Sequence, residues 1–330
     1  MASNLVLSAR GISKGELNNE PGKTRFLDVP DGEMPKPSHA VSTARWRDEV
    51  MRRAGDVDPD TGFREGDVLI FIHGYNNAWD DIMARHDLLQ KRLRAAGFEG
   101  AVVSFDWPSN DVGINYLEDR SNAKKTALQL VTDGIVLLAS LQRDQQRRKC
   151  RINIHLLGHS TGAYVIREAF ADADDRQSVS LINWTVSQVA LIGGDISSAS
   201  LSADNVKSES IFRHTVRLTN YTNPNDSVLK LSNAKRVGLA PRVGRIGLPD
   251  DAPEMCVDID CGRHWEGLNK NDSSAPGSFP HSWHFDNQHL IDDLAHTLKG
   301  DVDRWCVRTR EVIDGKLHLR PVADGPDARL

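Results

Sequence analysis

Residues 152–170 read INIHLLGHSTGAYVIREAF. A short apolar run leads into Gly158-His159-Ser160-Thr161-Gly162, and residues of helical periodicity follow. The pattern G-x-S-x-G fixes only three positions, all of common residue types. Between a strand and a helix, however, it predicts a sharp turn that presents Ser160 at the strand tip. Gly158 and Gly162 then stand where side chains would collide with the neighbouring strand and helix. The helix that follows aims its first N–H groups at the serine, where they favour developing negative charge. Serine is also a common helix N-cap. The strand–turn–helix context favours a nucleophile.

Working outward, the chain alternates strand and helix patterns. Strands are expected at 67–72 (DVLIFI), 100–107 (GAVVSFDW), 151–158, 185–193, 214–222 and, last, 255–261 (MCVDIDC). Helices are expected at 80–97, 120–148, 161–171 and 287–300. Before them, 24–29 (TRFLDV) is a short strand candidate and 42–54 an amphipathic helix. This alternation predicts an α/β protein with a doubly wound, mostly parallel sheet and helices on both faces. Its ligand site would lie beyond the carboxyl ends of the strands. The irregular segments 108–123 and 263–280 would form short cap insertions on that rim. The division expected is an N-terminal extension (1–65) packed on a core (66–300), with a C-terminal tail (301–330), together one domain.

A serine hydroxyl needs a base held by an acid, and after such an elbow the acid precedes the base in the chain. Asp226 follows the strand 214–222, and His281 precedes the last helix. Asp195, which also ends a strand, is the rival acid, and His284 the rival base. Oxyanion donors are expected from the backbone N–H of Thr161 and from that of Tyr75 in the loop HGYNN. His73, Gly74, Asn76, His159, Trp107, Tyr116 and Trp283 are candidates for the substrate pocket, with His73 bracing its loop and Trp265 and Phe285 nearby.

Composition narrows the classes. Apolar residues make up 39% and charged residues 26%, with a net charge of -5, which suits a globular protein and gives no nucleic-acid signature. The basic run at 147–149 is expected simply to close a helix. No signal peptide or membrane span is apparent, and four cysteines suit a reduced, cytoplasmic protein. Cys256, Cys261, His264, His281 and His284 offer zinc-like spacing, but sixteen residues separate His264 from His281. No metal or cofactor is expected. The expected partner is a small acyl ester, and nothing in the sequence fixes an oligomeric state.

Together these stretches resemble the α/β-hydrolase superfamily, and within it the bacterial alpha/beta hydrolases of unknown function labelled DUF900, of esterase/lipase type. FLDVP, VLIFIHGYNNAWDD, VVSFDWPSN, YLEDRSNA, INIHLLGHSTGAYVIREA, GGDIS, NPNDSVLKLSN and PHSWHFDNQHLIDDL carry the resemblance over 26–294. It implies an α/β-hydrolase fold with Ser160 as nucleophile, Asp226 as acid and His281 as base. The family usually has an aromatic or apolar residue at the position of His284, and often Pro-Asp at Gly194-Asp195. The activity implied is hydrolysis of a soluble or short- to medium-chain carboxylic ester. Thioesterase, amidase and acyltransferase chemistry share such scaffolds, as do non-catalytic binding proteins.

Overall fold

Residues 64–72 explain why the sheet must be covered on both sides. Val68, Ile70 and Ile72 pack into one apolar core and Leu69 and Phe71 into a second, as the period of a strand requires. The computed structural model describes residues 3–75, 79–109, 116–143, 150–180, 184–234, 240–269, 273–300 and 303–321. Its strands are β1 (Ser3–Ser13), β2 (Glu16–Pro30), β3 (Arg64–Ile72), β4 (Ala101–Asp106), β5 (Cys150–His159), β6 (Val186–Ile192), β7 (Thr215–Thr222), β8 (Cys256–Asp260), β9 (Arg310–Ile313) and β10 (Lys316–Leu319).

They form one sheet in the order β2-β1-β4-β3-β5-β6-β7-β8-β10-β9. The run from β1 to β10 is parallel, and only the edge strands β2 and β9 are antiparallel to their neighbours. Helices Thr43–Ala54 and Gly162–Asp174 cover the first core through Trp46, Val50, Val165 and Phe170. Helices Trp79–Ala95 and Gln288–Lys299 cover the second through Leu89, Leu93, Ile291 and Leu294. The doubly wound α/β architecture expected from the alternation is present, and no helix of the described residues is long and apolar enough to cross a membrane.

Three features depart from the sequence reading. β1 was not expected, because Asn4, Ser8 and Arg10 interrupt its apolar run; all three are nevertheless buried. β9 and β10 follow the strand expected to be last and occupy the segment expected as a tail. The helix expected at 120–148 is divided into Tyr116–Gln129 and Val136–Arg143 by a π-turn at Leu130–Ile135. There Gln129 donates to Gly22 O (3.0 Å), and Thr24 donates to Asp133, tying the widened turn to β2. The basic run at 147–149 lies outside the described residues.

Strand register positions the site. Ile72 pairs with Gly158 and His159 with Ile192, so β3, β5 and β6 end side by side. The residues that follow each strand therefore share one rim.

Candidate active site

Ser160 follows β5 directly and has φ +55°, a left-handed conformation that costs a non-glycine residue about 1–2 kcal/mol. The only other non-glycine residues of positive φ among those described, Lys14 and Asp314, are in hairpin turns. The strain at Ser160 is held by its own backbone. Its N–H donates to Ile192 O (3.1 Å), and its carbonyl accepts from Asp195 N (2.9 Å) and Ala163 N (3.1 Å). A Cβ at Gly162 would lie 2.2 Å from Ile72 O, and one at Gly158 2.7 Å from Ile166 Cδ1. Gly162 is required by the close backbone of β3, and Gly158 is crowded by the helix at Ile166 and Ala163.

The loop after β3 passes over the serine side chain. A Cβ at Gly74 would stand 2.8 Å from Ser160 Cβ and 3.3 Å from its Oγ. His73 beside it is fully buried, with Nδ1 donating to Gly74 O (2.7 Å) and its ring stacked on Trp107 at 5.4 Å. Trp107 Nε1 donates to His73 O (2.9 Å). Asp106, at the end of β4, lies 3.4 Å from His73 Nε2 and accepts from Ser8 Oγ (2.7 Å) and Arg10 Nε (2.8 Å). Burial raises the Asp106 carboxyl, but Arg10 and His73 outweigh it and hold the carboxyl below its ordinary value. Burial likewise lowers the His73 imidazole. His73 and Trp107 thus brace the loop from beneath. Burial removes Trp107 from any pocket wall, and Trp283 is buried in the second core. Asn76 and the side chain of Tyr116 lie outside the described residues. Tyr75 is half-buried at the loop's turn, and Thr161 immediately precedes the helix Gly162–Asp174, ahead of its first hydrogen-bonded turn.

Beyond β7, the chain turns through Asn223, and Asp226 comes to rest nearly fully buried. Its Oδ1 accepts from Leu229 N (3.0 Å), capping the helix Ser227–Ala234, and its Oδ2 accepts from His281 Nδ1 at 2.6 Å. That bond assigns the proton of neutral His281 to Nδ1 and leaves the Nε2 lone pair open. Nε2 is buried and has no hydrogen-bond partner among the described residues. The ring stands against the elbow: a Cβ on Gly193, the residue after Ile192, would be 3.2 Å from His281 Cε1. No hydrogen bond joins Ser160 to His281.

The rivals are occupied elsewhere. Asp195 pairs with Arg242 Nε at 3.0 Å, both side chains buried. The His284 ring is buried, stacked on Trp283 at 5.0 Å and facing His159 at 5.6 Å. Burial, then His281 and Arg85, drive its pKa well below that of ordinary histidine. His159, expected in the pocket, instead points Nε2 at His281 O (2.8 Å). The cysteine–histidine cluster is dispersed. His264 bonds Arg320 O (2.8 Å) and Asn287 Oδ1 (3.1 Å), and burial raises the Cys256 thiol to about 12. Among the described residues no group of three or more His, Cys, Asp or Glu is arranged to hold a metal ion. Sequence reading missed Asp106, Arg85 and Arg242, though a strand-ending aspartate in VVSFDW was a usable signal.

A parallel sheet carrying a serine elbow, with an aspartate-bound histidine beside it on the carboxyl rim, defines an α/β-hydrolase scaffold. The family model for alpha/beta hydrolases of unknown function (DUF900) matches residues 61–258, and the chain belongs to that family. No curated protein matches the sequence. Among solved structures, a protein of Agrobacterium vitis S4 is 12% identical with a TM-score of 0.37, covering 92% of this chain and 99% of that one. A cutinase-like protein from Cryptococcus sp. is 14% identical with a TM-score of 0.31, covering 71% of this chain and 92% of that one. Esterase B from Lactobacillus rhamnosis is 15% identical with a TM-score of 0.26, covering 51% and 58% respectively.

Proposed function

We propose that the protein is a serine hydrolase that cleaves a carboxylic ester through an acyl-enzyme. The observation that carries this reading is the open Nε2 of His281, buried beside the elbow with Asp226 bound behind it. Ser160 Oγ attacks the ester carbonyl as His281 Nε2 takes its proton, and the Asp226 carboxylate stabilises the imidazolium. The backbone N–H groups of Thr161 and Tyr75 receive the oxyanion. His281 gives the proton to the departing alcohol, then takes one from the water that attacks the acyl group and passes it to Ser160 Oγ as the acid leaves. The segment 108–123, expected as a cap insertion, carries Asp111, Glu118, Asp119 and Arg120 in its sequence, the last three within the helix Tyr116–Gln129. That charge favours a soluble or short- to medium-chain ester over a lipid droplet.

A fluorophosphonate probe tests the reading, together with a panel of p-nitrophenyl esters of increasing acyl length. Wild-type protein should be labelled and should turn over the shorter esters, and Ser160→Ala should do neither. Labelling that persists in Ser160→Ala overturns the assignment.

A further inference from the structure

His159 is the last residue of β5 and the immediate neighbour of Ser160, and its side chain is buried among aromatic rings. Its ring lies 4.8 Å from the His281 ring, 4.9 Å from Phe285 and 5.6 Å from His284. Its Nε2 is 2.8 Å from the backbone carbonyl of His281. A carbonyl only accepts, so Nε2 must carry the proton. Nδ1 is buried without a partner among the described residues. Among the described residues the ring therefore has one hydrogen-bond partner, the main chain of His281.

We infer that His159 is a positioning residue: its Nε2–H, anchored one residue before the nucleophile, holds the main chain of His281 and so sets the separation between Ser160 and its base. The inference rests on the ester-hydrolase reading above. Other ties to this segment fall elsewhere: Asn223 Nδ2 reaches Pro280 O (3.4 Å), and Arg85 reaches Pro276 O (3.0 Å). His159 grips the residue that bears the imidazole, and does so from the strand that bears the serine. A link of this kind matters because His281 must move a proton to and from Ser160 across a short, fixed gap. Misplacement by 1 Å costs about 10²-fold in rate.

The link needs only the Nε2–H, and its surroundings keep the ring neutral. Burial is the largest influence holding His159 neutral, and the charges of His281, Arg85 and His284 act in the same direction. The His281 imidazolium formed during turnover thus meets a neighbour that donates a hydrogen bond without adding charge.

Two variants separate positioning from packing. His159→Gln keeps an N–H at a similar reach, and His159→Leu keeps volume and loses the donor. His159→Leu should lose about 10²-fold in kcat on a short p-nitrophenyl ester with KM little changed, whereas His159→Gln should recover to within about tenfold of wild type. Equal losses in the two variants, or a loss carried in KM, overturn the inference. Imidazole nitrogen NMR of the wild-type protein gives a readout that needs no variant to fold. His159 should be the Nε2–H tautomer at neutral pH, and an Nδ1–H tautomer overturns the inference. Wild-type protein that no fluorophosphonate labels overturns the parent reading and this one with it. Labelled wild type with indistinguishable variants overturns this one alone.

Discussion

Asp226 and Asp293 are both buried carboxylates near the sheet's distal half, and they are wired to different ends. Asp293 accepts four hydrogen bonds: Arg310 NH2 and Tyr221 Oη on Oδ1 (both 2.8 Å), and Arg310 Nε (2.8 Å) and Thr309 Oγ1 (2.5 Å) on Oδ2. Arg310 spends two further donors on Thr297 Oγ1 (2.6 Å) and Arg304 O (2.9 Å). Every lone pair that faces a donor is used, and the result fastens β9 to β7 and to the helix Gln288–Lys299. Asp226 instead accepts one backbone bond and one imidazole bond, and the far nitrogen of that imidazole has no hydrogen-bond partner among the described residues. A closed network holds chain together. A network left open at one proton-accepting atom is suited to chemistry.

The largest expected effect tests the open network. Asp226→Asn keeps an acceptor for Leu229 N but turns an amide N–H toward His281 Nδ1, which forces the proton to Nε2. Ester turnover should fall by about 10⁴-fold, with the unfolding midpoint little changed. Retained turnover would break the comparison at its functional end.

The closed network predicts the converse. In Asp293→Asn, the Arg310 guanidinium loses its carboxylate in a fully buried setting, which costs about 3–5 kcal/mol. Urea unfolding should report that loss while kcat per folded molecule stays near wild type. A variant of unchanged stability and lost turnover would erase the distinction.

An unpartnered nitrogen alone does not make a base, and His86 sharpens the point. Its Nδ1 bonds Ser104 Oγ (2.7 Å), and its Nε2 is buried without a partner among the described residues, like that of His281. No carboxylate stands behind it. Burial, with Arg53, lowers its pKa to about 4. The folded state therefore keeps His86 neutral where the unfolded chain, titrating at about 6.5, has taken up a proton. Stability from this group is complete above pH 6.5 and is lost as pH falls toward 4, about 2 kcal/mol by pH 5. Urea titrations at pH 7 and pH 5 should show a smaller difference in His86→Asn than in wild type. An unchanged difference would remove His86 from the account.

The elbow was legible because its chemistry is local: one strand, two glycines and one helix define it. Asp226 and His281 were legible by chain order and by their places at strand and helix ends. The edges of the sheet were read only in part: 24–29 falls inside β2, but β1, β9 and β10 were missed although both hairpins carry a turn signal. Lys14-Gly15 joins β1 to β2 and Asp314-Gly315 joins β9 to β10, each with left-handed φ at both positions. Such two-residue turns are strong hairpin indicators, but the flanking strands bury Arg10 and Arg310, and buried charge hides a strand from an apolar pattern. The bracing roles of Asp106, Arg242 and His159 were not legible. Each depends on partners remote in sequence, Asp106 being 96 positions after Arg10 and His281 122 positions after His159.

The smallest expected effect concerns Asp195, which a reading by chain position alone could exchange with Asp226. Its carboxylate bonds Arg242, and what it gives the elbow is a backbone N–H to Ser160 O. Asp195→Asn leaves that N–H in place and keeps an oxygen for Arg242 Nε. Turnover should therefore fall by less than about tenfold, or 1.4 kcal/mol in the barrier, and the acid limb of the pH–rate profile should not move. If Asp195→Asn instead cost as much as Asp226→Asn, the acid of the open network would have to be reassigned. The 2.6 Å bond between Asp226 and His281 would then be one more closed contact.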